Sequence, residues 1–226
     1  MAEPGQPAFG AFGKMPSLGD FFRIGLGADA VSHWDLWLQA LLREAEAALG
    51  ARYQDCYMSA PVWRFALAPG VAGASGLIGV LMPSVDRVGR SCPLTLMAET
   101  GLETASPLRS LFAAGDALGA LETLALDCLD DAMTRDALAV RLATISLGPA
   151  AHPGLVTQGG GTLRVASARA ELLCADLALD LAAGGLLRAS AFATELDGTA
   201  RLMLAEGLPR GAAGIALFDP GTEGGL

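Results

Sequence analysis

Residues that ligate metals or carry catalysis are scarce in this chain of 226 residues, which has only two histidines and four cysteines. Cys56, Cys92, Cys128 and Cys174 never stand at C-x-x-C spacing, so a zinc site is not expected. Free buried thiols in a reducing cytosol suit them better than a disulfide framework. There is no G-x-S-x-G; the nearest run, Gly73-Ala74-Ser75-Gly76, has the wrong spacing. P-loop and H-E-x-x-H motifs are missing as well. Nucleophilic catalysis would have to use His33 or His152, and sequence dictates a partner for neither. No catalytic residue, metal or cofactor is therefore expected. Basic residues are also short, 15 Lys and Arg against 24 Asp and Glu, giving a net charge of −9. Without a basic stripe, nucleic acids and anionic membrane surfaces are poor partners. No apolar run reaches about 18 residues without charge, Gly or Pro, so no membrane span is expected. Met1–Pro7 has neither a basic start nor an apolar core, so no secretory leader is expected and a cytoplasmic location follows.

What the chain does have is apolar mass: 52% of its residues are hydrophobic. That supports one sizeable core, and a single domain over 1–226 is expected. Its best internal boundary is the Gly/Pro-rich stretch Leu147–Gly161, read as an exposed loop, and residues 219–226 read as a disordered tail. Aromatics make up only 6% of the chain and crowd its first third, so that segment supplies the large core anchors. Three apolar runs of strand length, Val62–Ala68, Leu77–Met82 and Pro93–Met97, are bounded by Gly, Pro or Ser. Their connectors are too short for parallel crossovers, so the runs form an antiparallel meander.

Ala8–Gly13 is a further strand candidate, followed by a Pro/Gly loop over Lys14–Arg23 that Phe21 and Phe22 anchor to the core. Ser32–Leu49 carries Trp34, Trp37, Leu38, Leu41, Leu42, Ala45 and Leu49 at helical spacing, with Ser32 as N-cap and Gly50 as stop. Ser106-Pro107 opens one or two helices over Ala105–Leu126, broken near Gly115, and Thr134–Thr144 reads as a shorter helix. Leu163–Ala170 and Leu172–Leu187 are ambiguous in pattern, the latter leaning to helix, and Asp197-Gly198 marks a hairpin between Arg188–Glu195 and Thr199–Ala205. The expected fold class is α+β, a largely antiparallel central sheet flanked by helices on both faces in an α/β/α arrangement.

Two features suggest chemistry and weaken on inspection. Gly25-Leu26-Gly27-Ala28-Asp29-Ala30 formally fits a dinucleotide fingerprint, but no acidic residue closes a second strand about 20 positions on. Asp127, Asp130, Asp131 and Asp136 lack a calcium-loop glycine pattern and read as a solvated helix face. The sharpest signal is Asp86, Arg87 and Arg90, set between two hydrophobic runs. Charges so placed must be paired or hydrogen-bonded, and the guanidinium fork suits a carboxylate. An internal Asp86–Arg90 or Asp20–Arg87 bridge and a recognition site for a partner are both open. Arg64, Asp86 and Arg90 are taken as a structural charge cluster; Lys14, Asp20, Arg23 and Arg87 are taken as partner-facing.

Gly13-Lys14-Met15-Pro16-Ser17-Leu18-Gly19-Asp20-Phe21, Trp34-Asp35-Leu36-Trp37-Leu38 and Ala60-Pro61-Val62-Trp63-Arg64-Phe65 stand in order along the first part of the chain. Leu81-Met82-Pro83-Ser84-Val85-Asp86-Arg87-Val88-Gly89-Arg90 follows, with Pro93-Leu94-Thr95-Leu96 after it. In order and spacing this set resembles the TagF (ImpM) family of type VI secretion-associated proteins. The resemblance implies a post-translational repressor of type VI secretion that engages cytoplasmic components, notably the forkhead-associated scaffold protein. A structural or assembly subunit of the apparatus is the alternative. Some relatives carry a fused phosphatase; this sequence lacks its metal-binding aspartate motifs, so that activity is not carried over.

Overall fold

The computed structural model describes residues 7–101, 106–148, 155–159, 162–166 and 189–220. The expected helix over Leu172–Leu187 and most of the expected tail lie outside them. At the centre is the meander: β3 (Trp63–Leu67), β4 (Gly76–Met82) and β5 (Leu94–Thr100) pair antiparallel in sequence order. On the β5 side the sheet is extended by β1 (Gly10–Gly13) and β2 (Phe22–Ile24). On the β3 side it is extended by a late hairpin that is here numbered β8 (Ala189–Leu196) and β9 (Thr199–Glu206). The result is a seven-stranded sheet in the order β2-β1-β5-β4-β3-β8-β9, with every pairing antiparallel. Its last hairpin turns at Asp197 (φ 52°) and Gly198 (φ 70°), the left-handed pair a primed turn requires. One expectation fails. The stretch read as a loop, Leu147–Gly161, contains β6 (Leu155–Gly159), which pairs with β7 (Thr162–Ala166) in a separate two-stranded sheet. The glycines and prolines there masked the strand-forming Val156 and Thr157.

Helices cover both faces, as the α+β reading expected. One face buries α1 (Ala28–Leu49), α2 (Tyr53–Ser59) and the short α6 (Gly211–Ile215) against Phe65, Leu77, Met97 and Phe192. The other takes α3 (Pro107–Ala113), α4 (Gly115–Asp127) and α5 (Arg135–Leu142) against Ala66, Ile78, Val80 and Leu96. The α3–α4 break falls at Ala114, beside the expected Gly115. Thr134 caps α5 by accepting the Ala137 amide at 3.1 Å.

Helix α1 starts one turn earlier than its sequence signal. Ser32 is not its cap; from the second turn its hydroxyl donates back to the Ala28 carbonyl at 2.7 Å. The start is held instead by the Gly27 amide, which donates to Glu99 Oε1 at 2.8 Å. Trp34, Trp37, Leu38, Leu41, Ala45 and Leu49 form the buried stripe. Each buried leucine there contributes roughly 1.5–3 kcal/mol of transfer free energy. The three tryptophans of this core each find an acceptor for the indole N–H: Trp34 uses Thr95 Oγ1 (2.9 Å), Trp37 the Pro209 carbonyl (2.8 Å) and Trp63 the Leu217 carbonyl (2.8 Å). Trp34 also stacks on Phe65, with centroids 4.6 Å apart. Between Phe65 and Met97 in the ladder stands Gly79, where a Cβ would come within 2.1 Å of the Leu96 carbonyl. Only glycine lets β4 and β5 close at that point.

Candidate functional site

At one end of the sheet, two connections meet: residues 14–21, between β1 and β2, and residues 83–93, between β4 and β5. Gly13 makes their approach possible. It sits at φ 130°, and a Cβ there would lie 2.2 Å from the Pro93 carbonyl. The second loop is pinned at its base by the Cys92 amide donating to the Ser84 carbonyl (2.9 Å) and by a Val85–Ser91 bridge. A turn over 86–89, with Gly89 at φ 84°, closes its tip. The Tyr57 hydroxyl locks the loop from α2, donating to the Ser84 carbonyl (2.7 Å) and accepting the Ser84 amide (3.1 Å). Across the two loops the Arg87 amide donates to the Leu18 carbonyl at 3.0 Å.

Asp86 is the hub. Its side chain is fully buried and accepts four hydrogen bonds: Lys14 Nζ (2.9 Å), Arg90 Nε (2.6 Å), the Arg90 amide (2.9 Å) and the Val88 amide (3.0 Å). Burial by itself pushes this carboxyl up. The Lys14 ammonium, the Arg90 amide and guanidinium and the Val88 amide outweigh it and hold the group well below the usual carboxylate range. Arg90 reaches on, donating from Nη2 to the Gly19 carbonyl at 2.9 Å, so one arginine ties both loops together.

The sequence-derived site residues divide accordingly. Asp86 and Arg90 form the internal clamp; no ion pair joins Asp20 to Arg87 among the described residues. Lys14, taken as partner-facing, is 4% exposed and belongs to the clamp instead. Sequence could not show this, because the ammonium meets a carboxylate 72 positions away. Arg64, grouped with Asp86 and Arg90, is elsewhere: it makes a bidentate pair with Glu122 of α4, Nε–Oε1 2.7 Å and Nη2–Oε2 2.5 Å. Its strand alternation turns it toward that helix. Asp20, Arg23 and Arg87 are exposed. Phe21, expected as a core anchor, is 51% exposed while Phe22 is buried, because β2 begins at Phe22 and alternation sends the preceding ring outward. Sequence reasoning also passed over Val88, which is 71% exposed at the loop tip. An apolar residue between Arg87 and the turn glycine was the available signal.

The arrangement is suited to holding shape. Asp86 has its acceptor capacity committed, which leaves it no lone pair for base catalysis. Burial pushes the nearby Cys92 thiol up to about 12 and raises the Tyr57 phenol too, so neither is an activated nucleophile at neutral pH. Exposed His33 sits 2.9 Å from the Asp29 carbonyl in its own helix, and His152 lies outside the described residues. Among the described residues no three His, Cys, Asp or Glu side chains gather as a metal site, and no helix is long and apolar enough to cross a membrane.

Both loops, and the elements from β1 to α5, fall within residues 10–145, which match the TagF N-terminal domain, type VI secretion system-associated. The chain belongs to the TagF family. The crystal structure of PA0076 from Pseudomonas aeruginosa PAO1 is similar at 30% identity, covering 93% of this chain and 94% of that one with a TM-score of 0.74. The likeness therefore runs past residue 145, into the hairpin that completes the sheet of this TagF-family chain. No curated protein matches.

Proposed function

We propose that this TagF-family protein is a cytoplasmic, post-translational negative regulator of type VI secretion. It acts by protein–protein contact with secretion components, a forkhead-associated scaffold protein among them, and it is not an enzyme. One observation carries the reading: the loop pair uses a buried carboxylate, two cations and a buried tyrosine to fix its shape, yet Asp20, Phe21 and Arg87, with Arg23 of the adjoining β2, face solvent. Rigid elements presenting an exposed loop are how binding surfaces are built. Lys14, Asp86 and Arg90 support that surface from beneath; Asp20, Arg23 and Arg87 form it.

The test is cellular. Overproduction silences effector secretion without lowering the abundance of the apparatus, and deletion raises secretion. Secretion indifferent to both manipulations refutes the repressor reading. Stable co-purification with baseplate proteins in place of a scaffold converts the regulator into a structural subunit.

A further inference from the structure

We propose that the exposed rim of the loop pair docks a short acidic segment of a partner protein, one that also carries an apolar side chain. This rests on the reading of the loops as partner-facing and adds the chemistry of what they take. The chain as a whole has a net charge of −9, but the two loops hold three cations, Lys14, Arg87 and Arg90, against two carboxylates, Asp20 and Asp86. Asp86 is enclosed by Lys14 and Arg90, and the three together carry one net positive charge. What the surface presents is Arg87, the Arg90 side chain at 60% exposure, and Asp20 as the single outward carboxylate of the pair. Arg87 is held by its backbone, while its guanidinium has no hydrogen bond or ion pair among the described residues.

A lone exposed arginine is ordinarily a solvated face. Two exposed apolar side chains on the same loop pair set this one apart. Val88 is 71% exposed beside it, and Phe21 keeps 51% of its surface open while its ring is held between Phe12 (6.2 Å, stacked) and Lys14 Nζ (4.7 Å from the centroid). A ring already fixed in place loses little freedom on binding. A cation with a free planar fork next to open Val88, on a loop pair that also leaves Phe21 open, matches a carboxylate accompanied by an apolar residue. The negative field of the rest of the molecule repels a long polyanion, which confines recognition to a short segment lying on this corner.

The test is selection of a displayed library of random peptides against the full-length protein, followed by titration of a recovered peptide. The recovered peptides carry an excess of Asp and Glu with at least one apolar residue. Arg87→Glu weakens the recovered peptide roughly tenfold or more, high salt weakens it as well, and the melting temperature of the variant stays that of the parent. Val88→Asp, which removes the apolar contact and adds repulsion, weakens it independently. Neutral or basic peptides, no enrichment at all, or an affinity indifferent to Arg87→Glu overturns the proposal. Secretion by the same variants separates it from the regulatory reading. If Arg87→Glu relieves repression while no acidic peptide is recovered, the partner chemistry is wrong and the regulator stands. If acidic peptides are recovered and lost on Arg87→Glu while repression is intact, the docking surface stands and its use in repression is refuted.

Discussion

Replacing Trp63 tests the packing argument most directly. Its ring is 1% exposed on the α1 face of β3, and its indole N–H donates to the Leu217 carbonyl at 2.8 Å, joining the meander to the segment after α6. Trp63→Ala removes the whole ring and leaves a cavity, which costs about 3–5 kcal/mol. In a chain of 226 residues that lowers the melting temperature by roughly 6–20 °C. Trp63→Phe keeps an aromatic ring but leaves the Leu217 carbonyl without its donor, a loss of about 1–3 kcal/mol. The order of stability is therefore parent, then Phe, then Ala. Thermal unfolding followed by far-ultraviolet circular dichroism reads it. A Trp63→Ala protein melting within about 2 °C of the parent refutes the assignment of this ring to the core. Equal losses in the two variants show that the indole hydrogen bond, not ring burial, carries the stability.

Three further outcomes are expected. Arg90→Ala, which strips Asp86 and Gly19 of a donor, lowers the melting temperature, while Arg87→Ala leaves it within about 2 °C of the parent; large and equal losses in both would assign Arg87 to the clamp. The folded Asp86 carboxyl is held below its unfolded value, so its contribution to stability is fully present above the ordinary carboxylate range and is lost as pH falls through that range toward the depressed folded value. Chemical denaturation at a series of pH values then shows Asp86→Asn losing less stability than the parent on acidification, and parallel curves would exclude Asp86 as the source. Burial pushes the Cys92 thiol up to about 12 and the Cys128 thiol up to about 11, so alkylation at neutral pH, read peptide by peptide in a mass spectrometer, leaves both unmodified until denaturant is added.

The centre of this fold is written locally, and that is why it could be read from sequence. β3, β4 and β5 are successive apolar runs with connectors too short for anything but antiparallel neighbours, and Asp86–Arg90 is a contact across four positions. What could not be read depends on distant partners. Lys14 looks like any loop lysine until the loop before β2 folds across the loop after β4. Arg64 chooses Glu122 because α4 happens to cross that face of β3, 58 positions later. Ser32 has the chemistry of a cap, but α1 began at a glycine anchored by Glu99 of β5, a tertiary contact with no local signature. Phe21 and Phe22 are adjacent and chemically identical, and only the start of β2 decides which ring is buried.

The order in which the sheet is assembled has a consequence for synthesis. β3 lies between β4, its neighbour in the chain, and β8, whose pairing of Arg64 with Ala193 spans more than half of the sequence. As the protein leaves the ribosome, the β3–β4–β5 meander emerges long before the strand that covers its open side. During that interval β3 offers an apolar run of unpaired backbone groups, the form of edge most prone to pairing with another chain. Trp37 and Trp63 wait over the same interval for the Pro209 and Leu217 carbonyls. A nascent TagF-family chain of this kind is thus at its most vulnerable between the emergence of β5 and that of β8, and a gene fragment ending at residue 145 would keep that vulnerability for its whole lifetime.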